Sequence, residues 1–248
     1  MRVGMEARLI WPQTTVMELP HHGRQAFDAE LSELEHDVLE MASVAETMVA
    51  AAVDALVRLN PAVAMEAIRR DDEVDDRDLD IENRCLRLLA LQQPTGGDLR
   101  TIGTVMKMIT DIERVGDLAV DLAKCGLKIE KELGRTDYVD IRKVAGICRG
   151  MLMDALDAFV RRDVDLVADV CRRDDDVDAL YREIREQIHE HMRRDPDNVV
   201  SASWLLLAIH HLERIADHAV NIAERVNFMV TGRFVQMAKS HRNDPPGA

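Results

Sequence analysis

The chain has 248 residues, 47% apolar but only 3% aromatic, and 46 acidic side chains against 32 basic ones give a net charge of −14. A surface this acidic repels phosphate backbones, which argues against nucleic-acid binding, and it repels free phosphate and nucleotides unless a cation intervenes. A core of Ala, Leu, Val and Met suits helix bundles and is poor material for sheets. Cys85, Cys125, Cys148 and Cys171 form no C-x-x-C pair and sit in helical patterns, so they read as small buried hydrophobes of a reducing compartment. No run approaches the ~18 apolar residues of a membrane span, and MRVGMEARLIWP lacks a signal-peptide core; a soluble, cytoplasmic protein is expected.

Residues 1–23, with Pro12, Pro20 and Gly23, show no sustained period and read as a mobile leader. Six long helices follow. The first spans about Gln25 to Leu59, with Leu31, Leu34, Val38, Met41, Val44, Ala45, Met48, Ala52 and Leu56 at three-to-four spacing. Asn60-Pro61 stops it and opens the second, with Pro61 in the first turn, which runs to about Gln92 and Pro94-Thr95-Gly96-Gly97. The third starts near Asp98, a candidate N-cap, and carries Ile102, Val105, Met106, Ile109, Ile112, Gly116, Ala119 and Ala123, with Gly134 just past its end. The fourth spans about Val139 to Arg161 and the fifth Val164 to Arg193. After Asp195-Pro196-Asp197-Asn198 the sixth runs from Val199 to Val230, closed by Gly232. From about Phe234 to Ala248 the tail reads as loose. Short links force antiparallel neighbours, giving an all-α fold of two pseudo-symmetric antiparallel three-helix bundles, residues 24–134 and 135–233.

The two bundles are expected to match because the chain repeats itself. RRDDEVD at Arg69 returns as RRDDDVD at Arg172, and DIERVGDLAVDLAK at Asp111 as HLERIADHAVNIAE at His211. The offset falls from 103 to 100 residues between the two landmarks, as a shortened loop requires.

The repeat keeps a helical E-x-x-x-D. On the third helix Glu113 borders the apolar stripe, with Asp117 and Asp121 each about 40° further round. On the sixth, Glu213, Asp217 and Asn221 repeat the placement. Acids four apart repel by roughly 0.2–0.5 kcal/mol when exposed, more when half buried, so a compensating cation is expected. Oxygen-only donors suit Mg²⁺, Mn²⁺, Ca²⁺ or iron. Counting back from each turn sets Asp117 opposite Val74–Asp75 and Asp217 opposite Asp175, which makes Asp75 and Asp178 further ligands. The bland alternative is a solvated acidic face paired with Arg114 or Arg214.

Other candidates carry less. Glu33-x-x-His36 and Glu186-x-x-His189 have the di-iron E-x-x-H spacing, but the repeat maps Glu186 onto Asn83. His210 and His211 point to different faces, and His218 reads as a surface histidine. No phosphate-loop, dinucleotide or nucleophile-elbow motif and no nucleophile–base pair is present. A carboxylate-bridged metal-dependent oxidase or hydrolase is the enzymatic alternative, and a bare scaffold the third reading.

LRLLALQQPTGGDLR from Leu86, IERVGDLAVDLAK from Ile112 and LERIADHAVNIAERV from Leu212 together resemble the PhoU family over about residues 24–233. The resemblance implies a non-enzymatic negative regulator of the phosphate-starvation response and of phosphate uptake. Such a protein would be dimeric and would link the ATPase subunit of a phosphate ABC transporter to a sensor histidine kinase. It also implies divalent metal (iron, magnesium or manganese) on Glu113, Asp117 and Asp121 and on Glu213, Asp217 and Asn221, the second site weaker because Asn221 is neutral. Gly96-Gly97 stands where the family has Ala-Ser and is expected to loosen the turn.

Overall fold

The structure, a computed structural model, describes residues 21–238. Helix α1 (His21–Arg58) starts four residues earlier than the periodicity suggests, so the last three residues of the expected leader are helical and the rest lie outside the described residues. Asn60 then caps α2 (Pro61–Arg69), its side-chain oxygen accepting from the Ala62 and Val63 N–H groups, with Pro61 at the first position. Arg70 tightens the chain for one residue (φ −85°, ψ −3°), its N–H reaching the Ala67 carbonyl, before α3 (Asp71–Gln92) continues. The expected second helix is therefore one rod with a hitch.

Helix α4 (Gly96–Lys131) begins two residues before Asp98. Thr95 is its cap residue, and Asp98 instead holds Arg24 of α1 at 2.6 Å. Gly96 sits at φ +58°, a conformation L side chains rarely adopt, so glycine here meets a need of the backbone. Helices α5 (Ile141–Arg161), α6 (Val164–Arg194) and α7 (Val199–Thr231) complete the second half, with a short 3₁₀ turn at Pro196–Asn198. Gly232 ends α7 at φ +73°. The tail beyond is not loose at its start. Phe234 stacks on Phe228, ring centres 4.0 Å apart, and Glu224 accepts from the Met237 and Ala238 N–H groups. Residues 239–248 lie outside the described residues. Among the described residues, no helix is long and apolar enough to cross a membrane.

The six rods form two pseudo-symmetric three-helix bundles, α1, α2–α3 and α4 in one, α5, α6 and α7 in the other. Their buried side chains make one continuous cluster. It is continuous because α4 and α7 pack along each other between the halves. They run antiparallel: Arg100 donates to the Met229 carbonyl at 3.1 Å, and Asp111 meets His218 and Asn221. Lys128 lies over the Trp204 ring, 5.8 Å from its centre. Heptad rows Thr101, Met108, Val115, Leu122, Ile129 and Ser201, Ala208, Ile215, Ile222, Met229 are buried throughout, as helices with neighbours on several sides require. All four cysteines are free and buried, their thiols pushed up to about 12 by burial, so they pack as hydrophobes. A second, more polar seam joins α1 to α5 through Arg142–Asp54, Arg149–Glu46 and Arg162–Glu35.

Two substitutions test this packing. A Cβ at Gly134 would overlap Ser201 and lie 3.0 Å from Ile129 Cγ2, so Gly134→Ala is expected to cost about 1–3 kcal/mol in denaturant unfolding. Asp111→Ala leaves the His218 ring nitrogen and the Asn221 amide without their acceptor between the halves and is expected to cost about 1–3 kcal/mol.

Candidate metal centre

Each central helix can present carboxylates only on the arc that neither its own bundle nor the other central helix covers. On α4 that edge carries Glu113 and Asp117, one turn apart. The start of α3 faces it, brought close by Gly116, whose added Cβ would lie 3.4 Å from Val74 Cγ1 and 3.6 Å from Asp71 Oδ1. Asp71, Asp75 and Asp78 follow one another along α3 at four and three residues, hence on one face.

The first cluster is electrostatically uncomfortable. Burial raises the Glu113 carboxyl above its ordinary range, and Asp117, Asp75 and Asp78 add repulsion that Arg114 only partly relieves. Burial, then Asp75 and Asp117, raise Asp71 likewise, and burial with Glu82 and Asp75 raises Asp78. Asp78 Oδ1 is buried with no hydrogen-bond partner. Asp117 is held by Arg114 at 2.7 Å, so the bland reading, a carboxylate paired to its neighbouring arginine, is right for that side chain.

The second cluster repeats the first at higher intensity. Burial pushes the Glu213 carboxyl up to about 7, with Asp217, Asp178 and Asp174 adding to it and Arg214 opposing. Asp174 is only 2% exposed. Burial, then Asp174, raises Asp178. Glu213 Oε2 is buried without a hydrogen bond, and 3.2 Å away lies His210 Nδ1, equally buried and off hydrogen-bond geometry.

The expected register across each helix pair holds to within about a turn: Glu113 and Asp117 meet Asp71–Asp78, and Glu213 meets Asp174 and Asp178. The third rung does not join the ridge. Asn221 donates to Asp111 Oδ1 at 3.1 Å, and Asp121 pairs with Lys124 at 3.1 Å while its charge acts on His211. Two steps of four residues rotate a side chain about 80° around the helix, which carries it from the ridge to the α4–α7 seam. His218, expected at the surface, is buried there, with Nδ1 2.8 Å from Asp111. Asp71, Asp78, Asp174 and His210 are the cluster members that the ridge pattern alone missed. The three aspartates could have been found at three or four residues from Asp75 and Asp178. The E-x-x-H candidates are engaged elsewhere, His36 with Glu40 and His189 with Glu186 on their own helices, and Glu33 with Arg84 of α3.

Among the described residues no three His, Cys, Asp or Glu side chains close around a common point. The clusters are rich in acceptor-only oxygens whose repulsion Arg114 and Arg214 relieve only in part, and Asp78 Oδ1 and Glu213 Oε2 are buried without a hydrogen bond, but these oxygens are not gathered into a coordination shell.

The raised Glu213 carboxyl fixes a pH dependence for the metal-free protein. A folded-state value near 7 against an ordinary 4.5 means that the folded chain holds the proton more tightly. That stabilisation is complete below about 4.5 and is lost as pH rises through 7. Glu213→Gln is therefore expected to flatten this limb and to stabilise the chelated protein at about pH 8 by about 1–2 kcal/mol, allowing for solvent screening. Denaturant titrations on both sides of the transition read this directly.

The chain matches the family model of the PhoU domain twice, over residues 38–126 and 141–226. It is 37% identical over 215 residues to the phosphate-specific transport system accessory protein PhoU homolog of Clostridium acetobutylicum, covering 86% of this chain and 98% of that one. The homolog of the same name from Pseudomonas aeruginosa is 35% identical over 219 residues, with 88% and 90% covered. The crystal structure of PhoU from Pseudomonas aeruginosa superposes with a TM-score of 0.80 at 34% identity, covering 84% of this chain and 100% of that chain. The phosphate transport system regulatory protein PhoU from Streptococcus pneumoniae gives 0.78 at 29% identity, with 84% and 99% covered. With two matches to the family model, a TM-score of 0.80 to a PhoU crystal structure and identity sustained across nearly the whole length of its relatives, this chain belongs to the PhoU family.

Proposed function

We propose that this chain is a negative regulator of phosphate uptake and of the phosphate-starvation response. It acts in the cytoplasm as a dimeric, non-catalytic adaptor between the ATPase subunit of a phosphate ABC transporter and a sensor histidine kinase. The observation that carries this reading is the end-to-end match, through both repeats, to proteins named as accessory or regulatory to phosphate transport. The physical character of the surface agrees with it. At −14 the chain is a poor receptor for phosphate itself, so phosphate status would reach it through partner proteins.

Divalent metal (iron, magnesium or manganese) belongs to this reading. Glu113 and Asp117 with Asp75 would hold it in the first half, Glu213 and Asp217 with Asp178 in the second. A bound cation would supply positive charge that neutralises each cluster and ties α3 to α4 and α6 to α7. Gly116 lets the helices of the first cluster approach, and a cation would have to compete with Arg114 and Arg214 for the outer carboxylates. Asp121 and Asn221 serve the seam instead.

A deletion strain grown in rich phosphate is expected to switch on phosphate-responsive genes, and complementation should silence them. Genes that stay silent without the protein would sink the proposal. One observation favours a second reading: a carboxyl held near 7, as Glu213 is, suits a general base in a metal-dependent oxidase or hydrolase. Turnover of oxygen or a phosphoester in step with metal content would support that alternative.

A further inference from the structure

Helix α5 leaves one face uncovered. Lys143, Gly146, Gly150, Met153, Asp157 and Val160 recur every three or four residues along it and so share that face. Lys143, Gly146, Met153 and Val160 are exposed, Met153 to 50% and Val160 to 51%, while Gly150 and Asp157 are half-buried. Where α5 meets α1, Met153, Leu156, Asp157 and Val160 line an apolar groove with Leu39 and Ser43. Two properties set the face apart. Among the described residues α5 is the only helix of positive net charge, four cations against two carboxylates, in a chain of −14. Gly146 also lies inside the helix, where glycine is a poor helix former, although an added Cβ would meet nothing within 4 Å. No contact within the described chain calls for that gap.

We infer that this face binds a second copy of the chain, the two α5 helices lying antiparallel across a twofold axis at Gly150. The inference rests on the dimeric part of the proposed function and gives it a surface. A twofold contact must complement itself, and this one does. Antiparallel helices crossing at Gly150 bring together residues equally far before and after it. Lys143 and Asp157, each seven residues from the centre, then face each other twice. Among the described residues the Lys143 ammonium pairs with no carboxylate of its own chain, and Asp157 has its helix neighbour Arg161 at 2.8 Å. Met153, three residues past the centre, falls against Gly146, four before it, so each methionine fills the other copy's gap. The repeat supplies a contrast. On α1 the matched positions are Glu40, Ser43, Thr47, Ala50 and Asp54, and the same twofold would set Glu40 against Asp54, anion on anion. The self-complementary version belongs to the second half alone.

The test is sedimentation equilibrium of the full chain. Wild type is expected to sediment at twice the chain mass, and Met153→Glu, at a side chain already half in water, as a folded monomer. Lys143→Glu is expected to raise the dimer dissociation constant at least about tenfold, and adding Asp157→Lys to restore it, a rescue that a misfolded variant cannot mimic. Gly150→Cys, at the axis, is expected to cross-link to its own copy when copper phenanthroline oxidises the two thiols to a disulfide, whereas Thr47→Cys, its match on α1, is not; the four native thiols are buried. A dimer that survives Met153→Glu and Lys143→Glu, with Gly150→Cys left uncrosslinked, overturns this face and leaves the dimeric reading standing. A wild-type chain that stays monomeric overturns both, and the deletion strain reads the regulatory part independently.

Discussion

The rest of the structure depends on the packing of α4 against α7. Each is the innermost helix of its own bundle and also the wall of the other, so apolar residues must cover far more than one stripe. On α4 the buried set runs Thr101, Ile102, Thr104, Val105, Met108, Ile109, Ile112, Val115, Gly116, Ala119, Val120, Leu122 and Ala123, well over half the circumference. Small residues such as Gly116, Gly126, Ala119, Ala216 and Ala223 let backbones approach; a Cβ at Gly126 would lie 3.3 Å from the Leu56 Cα. The halves are joined by core and not merely by a linker.

That crowding explains where the acids go. A helix with its own bundle on one side and a second bundle on another has only a narrow arc left for charge. Glu113 and Glu213 lie at the margin of that arc, their side chains 25% and 19% exposed. Desolvation is accordingly the largest cause of the rise in both, ahead of any neighbouring charge. A solvated acidic helix would show the opposite order. The acidic arms of α3 and α6 then deepen the repulsion, and the folded chain carries a cost that apolar packing elsewhere offsets.

Much of this was legible in the sequence because it follows from period and repeat. The six rods, the Asn60-Pro61 stop, the Gly232 end and the facing of Glu113 and Asp117 with Asp75 all came from local rules. What was not legible depends on the second neighbour of each central helix. Treating each bundle alone, His218 reads as a surface residue, whereas the other half buries it against Asp111. The heptad row from Thr101 to Ile129 was the available signal of that neighbour. The hitch at Arg70 has no such signal, since its counterpart Arg173 lies inside an unbroken α6. The return of the chain after Gly232 was hidden for a different reason: it is held by Glu224 and by Phe234 on Phe228, contacts with no periodicity.

The seam also settles why the two copies diverge at their third rung. Asp121 and Asn221 are repeat partners, and so are Asp111 and His211. Because α4 and α7 run antiparallel, the pairs cross over: Asn221 meets Asp111, and Asp121 acts on His211. A carboxylate at 221 would set two anions together where the Asp111 side chain is only 16% exposed, while the amide donates to it instead. At 121 the carboxylate faces an imidazole and can stay. The neutral Asn221 therefore answers to Asp111 across the seam and says nothing about a weaker second cluster. The clusters themselves differ by the exchange of Asp78 and Thr110 for Tyr181 and His210. One set of substitutions keeps the halves in register, and the other exchanges a carboxylate and a hydroxyl for a phenol and an imidazole.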